Sequence, residues 1–424
     1  MSGERTAYPG GQAYRRARRV ELLRFAQASR VADGFGYLDD GGTVDPSHPV
    51  ELYVTCRMTH VFGLGLLVGD PPAPGGPGGG RELTELATHG VTALLDGPLS
   101  DTEHGGWFAS VREGAVDVAT KQAYAHAFVV LAASTARTAG IPRAEELLEE
   151  ALAVQEAHFW DEEAGMVVEE WDASFTDLDP YRGLNSAMHT VEDYLAAWDA
   201  GAGAQWRERA LRIATRVIGW AGENSWRIPE HFDADWRPLP EHNADRPADP
   251  FRPYGATVGH GLEWARLLLT LATTGDGSAP PAGLATPARL VEAGTRLAER
   301  AIRDGWTADG QDGFVYTTDW EGRPVVRERM HWVLTEAIAT STVLHQVTGG
   351  ARHADDVERW WAYADRHLID PDGLSWRHEL DQDNAPSART WPGRPDAYHA
   401  YQAALVADIP GAASFAGGVA AWST

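Results

Sequence analysis

The sequence predicts an all-α protein, and three observations carry that expectation. Apolar residues recur at helical spacing along twelve segments, and few stretches read as long strands. Long connections rich in Asp, Gly and Trp alternate with shorter, plainer ones. Every second segment begins about 70 residues after the last, which is the mark of a helix-pair repeat. Six such pairs close most simply into a ring of six inner and six outer helices, an (α/α)6 barrel. The 424 residues exceed the usual span of one domain, but a repeat ring holds them in one unit. Residues 1–424 are therefore read as a single catalytic domain, with an open helical solenoid as the alternative.

The twelve helices are expected at 14–30, 49–69, 82–96, 118–138, 143–158, 185–201, 204–221, 257–274, 285–303, 328–347, 353–368 and 395–406. The even-numbered ones carry the chemically loaded residues, as if aimed at one centre, so they are taken as the inner ring. Before them lie segments such as Asp101-Thr-Glu-His-Gly-Gly-Trp-Phe108, Asp161-Glu-Glu-Ala-Gly-Met166, Gly310-Gln-Asp-Gly-Phe314 and Asp370-Pro-Asp-Gly-Leu-Ser-Trp376. These read as hairpins or turns with Gly at positive φ. Long loops in a compact domain tend to be functional, so the active face is expected where the inner helices begin. Pro71 to Gly80 and Gly275 to Pro287 read as Gly/Pro/Ala linkers.

Composition narrows the partners. Lys plus Arg is 36 against 61 Asp plus Glu, a net charge of −25. That charge repels phosphate backbones and anionic lipid, so neither nucleic acid nor membrane is expected as a partner. The one cysteine, Cys56, excludes an intrachain disulfide and any Cys-rich metal site. The polar, Arg-rich stretch from Met1 to Arg19 has no apolar core of a signal peptide. The apolar run Val61 to Val68 is too short to span a bilayer. A cytoplasmic location is the expectation. Seventeen Trp suit either a sugar site or a large helical core.

The second helix carries Arg57 and His60 on one face, and an inward Arg wants an anionic or developing-negative partner. On the fourth, Lys121, Tyr124 and Phe128 read mainly as packing. On the sixth, Asn185, His189 and Glu192 form one stripe, a hydrogen-bonding wall for hydroxyl groups or a buried network. The eighth places His260 and Glu263 at i and i+3, where the carboxylate is expected to orient the imidazole. The tenth offers His331, Trp332 and Glu336, an aromatic face beside a hydroxyl acceptor. The twelfth opens with Arg394 and Pro395 and repeats the carboxylate–imidazole spacing in Asp396 and His399. A divalent-ion site is the weaker reading, because the histidines are scattered and no His-x-x-x-His pair occurs. No phosphate-binding loop and no Gly-x-Ser-x-Gly elbow is present.

At these residues the chain resembles the N-acylglucosamine 2-epimerase superfamily, nearest its mannose isomerase and sulfoquinovose isomerase branch. The resemblance rests on Arg57-Met-Thr-His60, His104-Gly-Gly-Trp-Phe108, Asn185 to Glu192, Tyr254-Gly-Ala-Thr-Val-Gly-His260-Gly-Leu-Glu263-Trp264 and Asp396-Ala-Tyr-His399. It implies the (α/α)6 barrel, a monosaccharide substrate, and chemistry with no metal and no cofactor. It places the catalytic histidines on His260 and His399 and family pocket positions on Arg57, Asn185, His189, Glu263, Trp332 and Glu336. Arg394 falls near a position that varies between branches. The superfamily contains monomers and homodimers.

The expected reaction is aldose–ketose isomerisation of the D-mannose/D-fructose type through an enediol or enediolate. His399 would carry the proton between C1 and C2. His260, held by Glu263, would open the ring and handle the oxygen protons, and these two roles are exchangeable. Arg57 would stabilise the developing oxyanion. Asn185, His189, Trp332, Glu336 and Arg394 would bind the sugar. A sugar 2-epimerase or a sulfoquinovose isomerase fits the same inventory. From other classes, an (α/α)6 glycoside hydrolase using Glu263 and Glu336 and a non-catalytic sugar-binding protein remain.

Overall fold

The computed structural model describes residues 8–71, 79–275, 277, 279–371 and 375–422. Parts of the expected linkers at 71–80 and 275–287, of the turn at 370–376 and of the N-terminal arm lie outside the described residues. The twelve expected helices are present as α1 (Gln12–Ala26), α2 (Leu52–Val68), α3 (Gly79–Asp96), α4 (Ala123–Thr138), α5 (Ala144–Val154), α6 (Leu184–Asp199), α7 (Ala204–Glu223), α8 (Val258–Thr273), α9 (Pro287–Gly305), α10 (His331–Thr348), α11 (Ala351–Tyr363) and α12 (Tyr398–Leu405). A thirteenth, α13 (Phe415–Trp422), was not expected.

Helices α2, α4, α6, α8, α10 and α12 each pack on the next, and α12 returns to α2, which closes the inner ring. Helices α3, α5, α7, α9, α11 and α1 pack outside α2, α4, α6, α8, α10 and α12 respectively. Sequence explains the sorting. Every residue of α2 from Leu52 to Gly65 is buried, as an inner helix requires. Outer helix α9 instead buries one stripe (Leu290, Ala293, Leu297, Ala298, Ala301) and exposes Arg289, Glu292, Arg296 and Arg303. Thr286 caps α9, accepting from the Arg289 N–H at 3.3 Å, with Pro287 in the first turn. Gly90 lets α3 approach α2, since a Cβ there would overlap Thr59.

The long connections fold into short antiparallel pairs around the mouth of the ring. Val50–Glu51 pairs with Ser110–Val111, Lys121–Gln122 with Glu170–Trp171, and Arg182–Gly183 with His231–Phe232. Ala256–Thr257 pairs with Thr317–Thr318, and Arg329–Met330 with Glu379–Leu380. Inner helices α2 to α10 therefore each start directly from a strand tied to another connection. This is why α4 begins at Ala123 rather than at 118: Lys121 and Gln122 are extended to pair with residues 170–171. At the opposite end, α13 packs on α2, α4 and α6 with Phe415, Ala416 and Val419 buried. No helix among the described residues is long and apolar enough to cross a membrane.

Candidate active site

The first turns of the inner helices surround a cavity. Tyr53, Tyr124, Asn185, His260, His331 and His399 reach it from α2, α4, α6, α8, α10 and α12. All six helices thus contribute, and they do so at their N-terminal ends, as expected.

His260 and His399 both line this one cavity. Nδ1 of His260 lies 2.9 Å from Glu230, whose second oxygen accepts the Thr257 N–H at 3.2 Å. Nδ1 of His399 lies 3.1 Å from Glu336, whose other oxygen is held by Arg266 at 2.8 Å. A carboxylate at Nδ1 keeps the proton on that nitrogen and leaves Nε2 as the basic atom. Burial, partly offset by Glu336, lowers the His399 pKa below its ordinary value, so the ring is neutral at pH 7. Between the two imidazoles stands Trp332, its ring 5.3 Å from His260 and 5.8 Å from His399. Gly259 makes room for that indole, because a Cβ at 259 would overlap it.

Arg57 projects from α2 against the same space. Its guanidinium donates to Asp396 at 3.1 Å and to the Tyr124 hydroxyl at 2.8 Å, and it lies 4.4 Å from the Phe128 ring centre. Asp396 also accepts the Tyr398 N–H at 2.9 Å. Burial opposes ionisation of Asp396, but Arg57 and His399 outweigh it and hold the carboxyl low. His331 and His378 stack at 3.7 Å on one wall, and burial pushes His331 down to about 3, so it stays neutral. At the mouth, Phe251 meets Trp391 edge-on at 5.0 Å. Trp391 is held there by Glu379, which accepts the N–H groups of Arg389, Thr390 and Trp391 at 2.8–2.9 Å.

The cavity floor is ionic. Arg266 binds Glu336 at 2.8 Å, Glu263 at 3.3 Å and Glu192 at 3.5 Å. Glu192 also accepts the Gln402 amide at 3.3 Å and the Tyr398 hydroxyl. His189, Glu192 and Glu263 converge closely enough to ligate a metal ion. The Arg266 guanidinium already holds both carboxylates and supplies the positive charge such an ion would bring.

A family model described as N-acylglucosamine 2-epimerase (GlcNAc 2-epimerase) matches residues 34–403. This chain belongs to that family. Among relatives of this N-acylglucosamine 2-epimerase family member, a D-mannose isomerase of Thermobifida fusca is 46% identical over 98% of each chain. A D-mannose isomerase of Pseudomonas cannabina pv. alisalensis is 44% identical over 94% of this chain and 93% of that one. A solved D-mannose isomerase structure superposes with a TM-score of 0.84 at 25% identity, covering 95% of this chain and 99% of that one.

Most of the residues singled out in the sequence meet here: Arg57, Asn185, His189, His260, Glu263, Trp332 and His399 all line the cavity. Their pairing differs from expectation. Glu263 does not hold His260; Glu230, thirty residues upstream, does. Asp396 does not hold His399; it binds Arg57, and Glu336 from α10 takes the imidazole. Glu336 therefore stands behind His399 and outside the cavity lining, and is a positioning group rather than a sugar ligand. Arg394 also lies outside the lining, bound to Asp370 at 2.7 Å and Asp40 at 3.4 Å. His60 is a buried core residue, 2.7 Å from the Thr135 hydroxyl. Glu230 and Arg266 were missed. Arg266 lies at i+3 from Glu263, a spacing that was visible; Glu230 sits in the 223–256 loop, where no spacing rule reaches.

Proposed function

We propose that this chain is a D-mannose isomerase, a metal-independent enzyme that interconverts D-mannose and D-fructose by moving a proton between C1 and C2. The observation that carries the reading is the pair of imidazoles, each anchored at Nδ1 by its own glutamate, facing one cavity across Trp332. The two D-mannose isomerases that resemble it over nearly their whole length support the choice of sugar.

In this mechanism His399, neutral at pH 7, takes the C2 proton of open-chain mannose, exchanges it with solvent as the imidazolium, and delivers a proton to C1. His260, held by Glu230, exchanges the oxygen protons. Arg57 faces the enediolate oxygens as a fixed cation. Asn185 and His189 bind hydroxyl groups, and Trp332 offers an apolar ring to the sugar face. A hydrolase mechanism needs two carboxylates flanking the bond. Glu263 and Glu336 instead share one guanidinium, and Glu336 does not line the cavity. We assign the enzyme to the cytoplasm, as one catalytic domain acting on a monosaccharide.

The test is NMR of D-mannose with the enzyme in heavy water. The expected result is D-fructose carrying deuterium at C1, unchanged by a chelator and lost in His399→Ala. Appearance of D-glucose without fructose makes it a 2-epimerase; no conversion of free mannose refutes the reading.

A further inference from the structure

Three glutamates at the cavity floor share one buried cation. Arg266 meets Glu336, Glu263 and Glu192, and all four side chains are buried. The other charged or titratable groups around Glu263 are Arg57 of α2, Tyr124 of α4, His189 of α6, and Tyr398 of α12. Arg57 is already matched by Asp396 at 3.1 Å. Burial and the positive charge of Arg57 keep His189 at about 4, and its Nδ1 has no hydrogen-bond partner among the described residues, so it adds no cation at pH 7. One guanidinium cannot balance three buried carboxylates, and an uncompensated buried charge costs several kcal/mol. At least one of the three must keep its proton.

The contacts identify which. Glu336 has the shortest bond to Arg266 and also meets His399 at 3.1 Å. Glu192 receives Arg266, the Gln402 amide and the Tyr398 hydroxyl. Glu263 has one Arg266 contact at 3.3 Å, and His189 stands off at 3.8 Å. Glu263 is also the member of the trio that lines the cavity. We infer that Glu263 is a neutral carboxylic acid in the resting enzyme and is the proton donor to the sugar oxygens, a role that rests on the isomerase reading. Burial and the charge on Glu336 push Glu263 well above the carboxylate range. Arg266 holds Glu336 and Glu192 below it, although burial works the other way on both.

The proton count then closes over one turnover. On ring opening, Glu263 gives its proton to O5 as the C1–O5 bond breaks, and His260 takes the O1 proton as the C1 carbonyl forms. His399 removes the C2 proton while His260 returns its proton to O1, giving the enediol. The O2 proton passes to Glu263 and the C1–H bond forms with the proton on His399. The ketose leaves with all three groups in their starting states.

Carboxyl-labelled glutamate in the whole enzyme, read by infrared difference spectroscopy at pH 7, tests the resting state directly. The wild-type spectrum minus that of Glu263→Gln should contain a protonated-carboxyl band, over a background from other buried glutamates such as Glu51 and Glu169, which burial raises to about 7. A difference spectrum without that band overturns the neutral assignment. Gln keeps the shape and a hydrogen-bond donor but has no proton to transfer. Glu263→Gln should therefore lower kcat for D-mannose by about 10²-fold or more with little change in KM, and a wild-type kcat overturns the donor role. A wild-type enzyme inert toward D-mannose would sink the isomerase reading and the donor role with it, but not the neutral resting state, because the infrared band reports on Glu263 without any substrate.

Discussion

Replacing Glu230 by Gln tests the histidine geometry more sharply than removing a histidine. The carboxylate accepts twice, from Nδ1–H of His260 at 2.9 Å and from the Thr257 N–H at 3.2 Å. An amide has one accepting oxygen. If that oxygen stays with Thr257, the NH2 group faces Nδ1, and the ring meets it only by moving its proton to Nε2. His260 would then present an N–H to the cavity where the reaction needs a lone pair. A hydrogen bond to a charged group is worth about 1.5–3 kcal/mol, and ~1.4 kcal/mol is tenfold in rate. The lost contact alone predicts a fall in kcat of roughly 10–10²-fold, and the wrong tautomer adds to it. The assay is mannose-to-fructose turnover at pH 7 beside a thermal melt of the same sample. The expected result is a depressed kcat with KM and folding largely kept. Wild-type kcat in Glu230→Gln would refute the assignment of Nε2 as the working atom of His260.

Arg266→Met removes the cation shared by three buried carboxyl groups, and breaking such a cluster typically costs about 3–5 kcal/mol; urea melts should show the loss, and unaltered stability would contradict the network. In Glu336→Gln, His399 loses a neighbour that raises its pKa. The protonated imidazole is disfavoured further, so the acid limb of kcat/KM should move to lower pH while its height falls, and a shift to higher pH would reverse the argued sign. Gly259→Ala forces a methyl group against the Trp332 ring; overpacking of this kind costs about 1–3 kcal/mol, and the melt should fall along with mannose affinity.

The helical frame was legible because it is written locally. Apolar spacing located α2, α6 and α8 to within a few residues, and the loaded N-terminal turns pointed to the active end of the ring. α13 escaped because Phe415–Trp422 is short, rich in Ala and Gly, and has no polar face. Its burial against α2, α4 and α6 is a tertiary fact. The errors at the site share one cause. Spacing of i and i+3 says that two side chains leave a helix on one face, and His260 with Glu263 and Asp396 with His399 do so. It does not say that they bond.

In a closed ring, the side chains of an inner helix lean toward both neighbouring helices and toward the strand pairs at the mouth. The nearest acceptor for an imidazole therefore comes from another element: Glu230 from the strand connection before α8, Glu336 from α10 beside α12. Releasing Glu263 and Asp396 from the histidines gives each a different task. Asp396 balances the buried charge of Arg57 at 3.1 Å, which fixes that cation at the cavity wall. Glu263 is left facing the cavity with too little positive charge to ionise. The ring thus separates positioning carboxylates, which back the histidines, from Glu263, the neutral acid that shares the cavity wall with them. A helix-by-helix reading finds the right residues for such a site and assigns their partners wrongly, since the decisive contacts run around the ring rather than along any helix.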